Sequence, residues 1–396
     1  MEKVLTGIRI LDFSRWLAAP YAATLLSDMG ADVIRVEKPG GELDRELGPF
    51  APSGIGMVCL AIARNKRGIT LNLGSDKGKE ILQGLVRCSD VVLHNFTSGA
   101  EEAKILGYPA LKEINPAIIV IAISGFGTTG PYAEHTAFDT IGQALSGAMS
   151  YTGFPGNPPT RSGVAWVDYS TAVHGALGVV LALYHRALTG KGQMIDVALL
   201  DVAVAPVALA AAAAEYKVLG EVRQQIGNHG FNNFTDCFQA KDGWVMMSVV
   251  GNPLWRRFLR AIGREDLKDD PNFKDDLARF KNRHLTHPIV AEWTKERTTK
   301  EIIERLAKAR VPCDKVNNIA EMIEHPQVKA REMLVDMEYP GVGSMPVPGV
   351  TIKMSETPGS IERRAPKVGE HNKEVYSELL GLAPKELSRL EAEGVI

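Results

Sequence analysis

The sequence has few cysteines and little sign of a membrane-spanning segment. Its four cysteines, among 396 residues, are far apart and form no Cys-x-x-Cys pair. This excludes a cysteine-based zinc site and a disulfide scaffold, and it is typical of a reducing compartment. The most apolar stretch, residues 202–214, contains Pro206 and falls short of the ~20 apolar residues that a bilayer requires. We expect this stretch to form a buried helix.

The sequence also lacks an excess of charge of either sign. Lys and Arg number 45 against 47 Asp and Glu, so the net charge is -2, whereas a nucleic-acid-binding protein would need a basic excess. The N-terminus runs into a strand-like segment without the apolar core of a signal peptide. We therefore predict a cytoplasmic protein that binds neither nucleic acid nor membrane.

Strands and helices alternate in the first third of the chain. Short apolar runs separated by helical segments are typical of a doubly wound parallel sheet, so the fold class is α/β with a Rossmann-like large domain. The predicted strands are 8–13, 32–37, 69–73, 90–94 and 117–123. We assign the large domain to residues 1–200 completed by 330–396, a linker helix to 201–226 and a small α+β domain to 227–329.

Familiar cofactor motifs are missing or incomplete. Residues 125–130 read Gly-Phe-Gly-Thr-Thr-Gly, but Pro131 follows and no helix begins on the loop, which argues against a dinucleotide site. No phosphate-binding P-loop and no Gly-x-Ser-x-Gly elbow occur. The close pair His284-x-x-His287 lies in a charged helical region and favours a solvated surface. We predict no metal site.

Asp168 is the most informative residue. It follows an apolar run and precedes a long apolar helix, where Asp is a common N-cap. A carboxylate at a helix N-terminus is expected to stay ionised, and it can also act as a nucleophile without a general base. From spacing alone, capping is favoured, but the two roles are compatible.

An ordered series of short motifs resembles the family III CoA-transferases, the group that includes formyl-CoA transferase and carnitine CoA-transferase. The resemblance spans nearly the whole chain, and the motifs together are far more specific than any one of them. They are 5–12, Pro20, 25–37, 65–67, Asn95-Phe96 with Gly99, 124–127 with Gly130-Pro131, Ser146-Gly147, the Asp168 segment, 189–193 with Asp196, Ala365-Pro366 and 369–371.

The resemblance implies roles for individual residues. Asp168 falls on the family's nucleophilic aspartate, and Lys38 and Lys104 lie where the family places cations against the nucleotide phosphates, which need charged donors. The segments that line the CoA groove in the family fall on Ala18, Leu71, Asn95, Phe96, Thr97, Ser124, Gly125, Phe126 and Gly127. The chain departs from the family pattern at 94–99, which reads His-Asn-Phe-Thr-Ser-Gly, and at Ala19.

The implied reaction moves CoA from an acyl-CoA donor, with succinyl-CoA a common choice in the family, to a free carboxylic acid. It proceeds through an aspartyl anhydride and an aspartyl-CoA thioester, so no tightly bound cofactor, ATP or metal is expected. Coenzyme A enters only as acyl-CoA substrate and product. The resemblance further implies an interlocked homodimer, and a heterodimer with a related chain is the alternative.

Two rival functions stay open. An α-methylacyl-CoA racemase shares the fold, but racemases of this group carry a histidine where this chain has Phe138, which cannot move a proton. A non-catalytic CoA-binding subunit of a hetero-oligomer is the other rival, and the retention of Asp168 argues against it.

Overall fold

A computed structural model describes residues 2–396, which divide into two compact units. The first unit contains the residues up to Met149 together with 161–222 and 327–396, and the second contains 150–160 and 223–326. The chain therefore leaves the first unit and returns to it.

A six-stranded parallel sheet organises the first unit. Its strands are β1 (Arg9–Asp12), β2 (Asp32–Glu37), β3 (Lys66–Thr70), β4 (Val91–His94), β5 (Ile119–Ser124) and β6 (Met194–Ala198). The strand order β3-β2-β1-β4-β5-β6, parallel throughout, confirms the predicted doubly wound sheet. Apolar side chains on both faces bury the sheet between two helical layers, as a parallel sheet requires.

Two strands differ from their prediction. β3 begins at Lys66, three residues before the predicted strand, because the Lys66 ammonium is fully buried and bonds to the Asp12 carboxylate at 2.8 Å. Charged residues thus begin this edge strand because they are paired inside the fold. β6 was missed because its side chains alternate between exposed and half-buried, so it carries no continuous apolar run.

Helices cover both faces of the sheet. Those in the chain up to residue 219 are α1 (Ala18–Asp28), α2 (Met57–Ile62), α3 (Asp76–Arg87), α4 (Glu101–Ile105), α5 (Tyr108–Ile114), α6 (Asp139–Leu145), α7 (Ala148–Tyr151), α8 (Trp166–Thr189), α9 (Leu199–Leu209) and α10 (Ala212–Leu219). α1 and α8 pack on one face, and α3 packs on the other. Gly190 ends α8 with a left-handed φ of 73°, as a C-terminal glycine does.

The apolar stretch 202–214 does not form the single buried helix that its composition predicted. α9 and α10 meet at a bend of 61°, with Ala211 in the left-handed region. Leu199, Val202 and Ala203 are buried, but Leu209 is 87% exposed. The prediction was wrong because apolar composition indicates that a segment packs against another surface but does not identify that surface.

One helix, α8, is long and apolar enough to cross a membrane by length and composition. Its inner face belongs to the core of the first unit, since Val167, Ala172 and Val179 are fully buried against α1 and the sheet. By length and composition alone, this core helix resembles a membrane-spanning one.

The second unit is an α+β structure around a three-stranded antiparallel sheet. Its elements, in chain order, are β7 (Phe234–Ala240), β8 (Gly243–Val249), α11 (Asn252–Ile262), α12 (Asp276–Lys281), α13 (Arg283–Lys295), α14 (Thr299–Lys308), β9 (Cys313–Lys315) and α15 (Ile319–Glu324). The next helix, α16 (Pro326–Ala330), belongs to the first unit except for Pro326. β7 and β8 form the predicted hairpin around Asp242.

The chain then completes the first unit. Its last elements are the hairpin β10 (Leu334–Tyr339) and β11 (Gly343–Pro348), then α17 (Asn372–Leu380) and α18 (Pro384–Ala392). The Tyr376 hydroxyl donates to the Thr70 carbonyl at 2.6 Å, at the end of β3. Val395 and Ile396 are buried in the same apolar cluster as Leu71.

Candidate active site

The carboxyl-terminal edge of the parallel sheet carries almost every residue singled out from the sequence. In a doubly wound sheet, ligands bind at this edge, where the strand order reverses, and here the reversal lies between β1 and β4. Lys38 follows β2, Leu71 follows β3, and Asn95 follows β4. The topology thus brings together segments that are distant in sequence.

Two cavities lie along this edge. One of about 120 Å³ contains Asp168 and is lined by Ala18, Asn95, Thr97, Ser124 and Gly125 among others. The other, of about 300 Å³, is lined by Lys38, Leu71 and Phe96 among others. The segment 95–97 contributes to both, so the predicted CoA residues form two pockets that share a wall.

The shared wall is held by a reciprocal pair of hydrogen bonds. The Arg15 N–H donates to Asn95 Oδ1 at 3.0 Å, and Asn95 Nδ2 donates to the Arg15 carbonyl at 2.6 Å. Leu17 and Trp16, next in the chain, line the Asp168 cavity, whereas Arg15 lines the larger one. Asn95 therefore acts as a brace between the loop after β1 and the loop after β4.

Asp168 lies in the first turn of α8 but does not cap it. The N-cap residue is Ala165, and Asp168 is the third residue of the helix, so the predicted capping role is wrong. Its side chain is 7% exposed and faces the smaller cavity. No hydrogen bond from residues 2–396 reaches its carboxylate oxygens. The carboxylate is therefore buried, unshielded and turned toward the space that a ligand can enter.

Asp139 supplies the missing cap. Its Oδ2 accepts hydrogen bonds from the backbone N–H groups of Val167 at 2.8 Å and Asp168 at 3.3 Å, and Gln143 donates to its other oxygen. Since these donors belong to the first turn of α8, Asp139 satisfies them from 28 and 29 residues away in sequence. Sequence spacing gave no signal for this long-range cap.

Asp139 and burial both affect the ionisation of Asp168. Burial and the negative charge of Asp139 raise the pKa of Asp168 to about 7. The expectation that the helix dipole keeps Asp168 fully ionised is therefore wrong, because desolvation and a like charge outweigh the dipole. Near neutral pH, the group is poised between its acid and its nucleophilic carboxylate form.

This arrangement predicts a pH-dependent stability difference. A pKa raised in the folded state means that ionisation destabilises the fold as pH rises from about 4 to about 7. Asp168→Asn removes that ionisation, so the variant should gain stability relative to the wild type between pH 5 and pH 8, by at most ~4 kcal/mol. Denaturant unfolding of both proteins at the two pH values measures the difference. A constant difference would contradict the raised pKa.

The larger cavity has features of a nucleotide site. Lys38 supplies an exposed cation at its rim, and Leu71 a buried apolar surface. The Arg15 guanidinium lies 4.5 Å from the centre of the Phe96 ring, a cation–π arrangement that sequence reasoning missed. Arg15 is also 3.5 Å from a carboxylate oxygen of Glu42. The cavity therefore offers a flat Arg15–Phe96 platform beside an apolar wall, in a lining that also contains Glu37, Glu42, Glu101 and Glu102.

Three predicted CoA residues lie outside both cavity linings. Lys104 is exposed and its ammonium pairs with Glu101 at 2.6 Å. Phe126 packs edge-on against Tyr132, and Gly127, at a φ of 84°, donates its N–H to Ser124 Oγ at 3.0 Å. Phe126 and Gly127 shape the loop next to Asp168, whereas Lys104 lies outside the lining of the larger cavity.

The chain matches known proteins over almost its whole length. The family model for CoA-transferase family III matches residues 5–372. The chain is 37% identical to the succinyl-CoA–L-malate CoA-transferase beta subunit of Chloroflexus aurantiacus, over 99% of this chain and 98% of that protein. It is 33% identical to the succinyl-CoA–D-citramalate CoA-transferase of the same organism, over 99% and 98%.

A solved structure shares the fold. The crystal structure of a CAIB/BAIF family protein from Brucella suis superposes with a TM-score of 0.83 at 33% identity, covering 96% of this chain and all of that one. Fold and sequence therefore define an α/β enzyme with a carboxylate at the switch point of its sheet. The chain belongs to CoA-transferase family III, which confirms the resemblance seen in the sequence. It is a transferase whose substrates are CoA thioesters.

Proposed function

We propose that this enzyme transfers CoA from succinyl-CoA to a free carboxylic acid, with Asp168 as the nucleophile. The observation that carries the proposal is the Asp168 carboxylate, which is buried in a cavity and accepts no hydrogen bond from any described residue. A buried carboxylate without hydrogen-bond donors from the described residues is a strong nucleophile, because attack costs little desolvation.

The first half of the reaction loads the enzyme. An Asp168 oxygen attacks the thioester carbonyl, the C–S bond breaks, and CoA leaves as a thiolate while an acyl-aspartyl anhydride forms. The thiolate then attacks the aspartyl carbonyl, releasing the donor acid as a carboxylate and leaving an aspartyl-CoA thioester. Gly125 lines the same cavity, and its missing side chain allows the close approach of Ala137, since a Cβ at this position would lie 2.6 Å from the Ala137 Cβ. No proton is gained or lost.

The second half reverses these bonds with a new acid. The acceptor carboxylate attacks the aspartyl thioester and expels the thiolate, which then attacks the acceptor's own acyl carbon. The acceptor leaves as its CoA thioester and Asp168 returns as a carboxylate. The small volume of about 120 Å³ around Asp168 serves this chemistry by limiting water, since either anhydride would hydrolyse.

The donor assignment rests on relatives. The printed names of the two Chloroflexus relatives, and of a mesaconate CoA-transferase from Haloarcula marismortui at 37% identity over 94% of this chain, all contain succinyl-CoA. Incubating the purified chain with succinyl-CoA and a panel of acids, and separating the CoA esters by chromatography, tests it. Turnover with acetyl-CoA or formyl-CoA, and none with succinyl-CoA, would contradict the donor but not the mechanism.

The racemase alternative is disfavoured by one position. Phe138 lines the Asp168 cavity directly before Asp139, and its ring carries no proton that can be exchanged. A racemase needs a second acid–base group on the opposite side of the substrate carbon. Proton exchange at C2 of a 2-methylacyl-CoA in deuterium oxide would support it, and we expect none.

We propose a homodimer of interlocked subunits in the cytoplasm. The outer face of α8 supports a subunit contact, because Leu177, Leu181 and Leu188 are each more than half exposed. The relative from Chloroflexus is named as one subunit of an enzyme that also has an alpha subunit, so a heterodimer is the alternative. Mass measurement in solution and activity of the chain purified alone separate the two.

Lys38→Ala should weaken CoA binding and leave the transfer step largely intact. Lys38 lines the nucleotide cavity, and a lost charge-assisted hydrogen bond to a phosphate is worth about 1.5–3 kcal/mol, or roughly tenfold to over a hundredfold in affinity. Calorimetric titration with CoA measures the loss.

Lys112→Ala is the matched control for this test. Lys112 is an exposed lysine on α5 outside the cavity lining, so its loss should change the affinity little. An unchanged affinity in Lys38→Ala, or an equal loss in both variants, would contradict the proposed nucleotide site.

A further inference from the structure

The second unit contains a cavity whose lining shares no residue with the cavity around Asp168. Its volume is about 630 Å³, and all of its lining residues belong to the second unit. Phe238 and Trp244, from the hairpin β7–β8, give it an aromatic side. A cavity of this size, with apolar walls and a few converging polar groups, is typical of a small-molecule site.

One face of α13 supplies the polar side of this cavity. Arg283, His287, Ala291 and Lys295 are spaced four residues apart and all line it. At a rise of 1.5 Å per residue, the stripe extends over roughly 18 Å. The short side chain of Ala291 leaves open space between the basic groups, which therefore lie at separate points along the cavity.

A pair of histidines shares one buried carboxylate at the Arg283 end. Asp236 Oδ2 lies 2.9 Å from His229 Nδ1 and 2.7 Å from His287 Nδ1, and the Asp236 side chain is 8% exposed. The His287 ring also stacks on Phe238, with the ring centres 4.8 Å apart. Because both rings use Nδ1 for Asp236, each presents Nε2 as the nitrogen available to a ligand.

This arrangement corrects the sequence interpretation of the pair His284-x-x-His287. A solvated surface was favoured for both, and His284 is indeed exposed. His287 is instead half-buried and held by a carboxylate 51 residues away in the chain. The sequence spacing could not reveal a partner on another element.

The cavity is rich in positive charge. Asp236 is the single acidic residue in its lining, and both imidazoles already engage it. Arg283 and Lys295 form no ion pair with a carboxylate of residues 2–396. An adjoining cavity of about 380 Å³ is lined by Pro288 and five basic residues: His229, Lys281, Arg283, His284 and His287. Arg283 and Lys295 are thus two uncompensated cations in a concave site, which favours an anion.

We propose that this cavity is a second binding site, for an organic carboxylate, and that it acts independently of Asp168. The carboxylate group binds beside His287 at Arg283, whose guanidinium donates one hydrogen bond to the Phe280 carbonyl at 3.0 Å and keeps further N–H groups for charge-assisted hydrogen bonds to a ligand. The hydrocarbon part of the acid lies along Phe238, Ala291 and Trp244. An organic acid fits better than inorganic phosphate, because phosphate would leave this aromatic wall without a partner.

Calorimetric titration of the whole chain with adipate and with inorganic phosphate, without CoA, tests the proposal. Adipate should bind the wild type and Asp168→Asn equally, because the site does not include the nucleophile. Arg283→Gln should weaken adipate binding at least tenfold. Arg256→Gln, which changes an exposed arginine on α11 outside the cavity lining, is the matched control and should leave the affinity unchanged.

Three outcomes would overturn the proposal. Adipate could fail to bind the wild type, or phosphate could bind more tightly than adipate. Alternatively, adipate binding could survive Arg283→Gln and disappear in Asp168→Asn, which would place the acid at the transfer site. None of these results alters the test of Asp168 as the nucleophile, so the two proposals fail separately.

Discussion

Asp168→Asn should abolish CoA transfer, by at least a thousandfold, in a protein that remains folded and binds CoA. The amide keeps the size and shape of the carboxylate but has no anionic oxygen to attack a thioester. Ala165 is the N-cap residue of α8, and the Asp139 side chain accepts the hydrogen bonds of its first turn. The substitution at Asp168 therefore removes no cap. Initial rates with succinyl-CoA and circular dichroism of the same sample measure the two effects.

Trapping the covalent intermediate makes this test specific. Wild-type enzyme incubated with acyl-CoA and then hydroxylamine should carry a hydroxamate on Asp168, located by mass spectrometry of the peptide. Asp201→Asn is the control, because it changes an exposed carboxylate on α9 outside the cavity and should leave activity and labelling unchanged. Activity near the wild-type level in folded Asp168→Asn, or a label on another residue, would rule out the mechanism.

Asp139→Asn should shift the pH dependence of transfer to lower pH. The reactive form of Asp168 is the carboxylate, so activity should rise with pH through the pKa of about 7. Removing the neighbouring negative charge should lower that pKa, so the variant should be relatively more active at pH 6 than the wild type. The pH profile of kcat/KM for each protein measures the shift.

If Asp139 had a purely structural role, the midpoint of the pH profile would not move. In Asp139→Asn, the amide side chain retains one oxygen to accept the Val167 N–H, so capping is only partly lost, and a loss of stability would lower activity at every pH alike. An unchanged midpoint of the pH profile would therefore show that Asp139 positions α8 without setting the ionisation of Asp168. The midpoint, and not the absolute rate, decides between the two.

Local sequence patterns predicted the strands that define the site. β2 coincides with its prediction because an apolar run is flanked by residues that break regular structure, and β1, β4 and β5 lie within one or two residues of theirs. Parallel topology then brings the residues after these strands to one edge. The family resemblance, and not the strand pattern, assigned Asn95 and Gly125 to the CoA groove, and both line the cavity that contains Asp168.

Features that depend on distant partners escaped the sequence. The cap of α8 by Asp139 joins residues 28 positions apart, and the bond between His287 and Asp236 joins residues 51 apart. Desolvation of Asp168 depends on the walls of its cavity, which come from several strands and cannot be read from its neighbours. The raised pKa, the feature that matters most for reactivity, was therefore the one that local reasoning predicted with the wrong sign.

Because the chain returns to the first unit, the core of that unit is completed only after the C-terminal helices have been synthesised. Asn72, which lines the nucleotide cavity, donates a hydrogen bond to the Gly394 carbonyl, 322 residues later. At about 5–20 residues per second, a ribosome needs roughly 15 to 65 s to travel between them. During that interval the apolar cluster behind β3 lacks Tyr376 and Leu390 and stays open to solvent. Cells must therefore keep this nascent chain from aggregating until its final segment emerges.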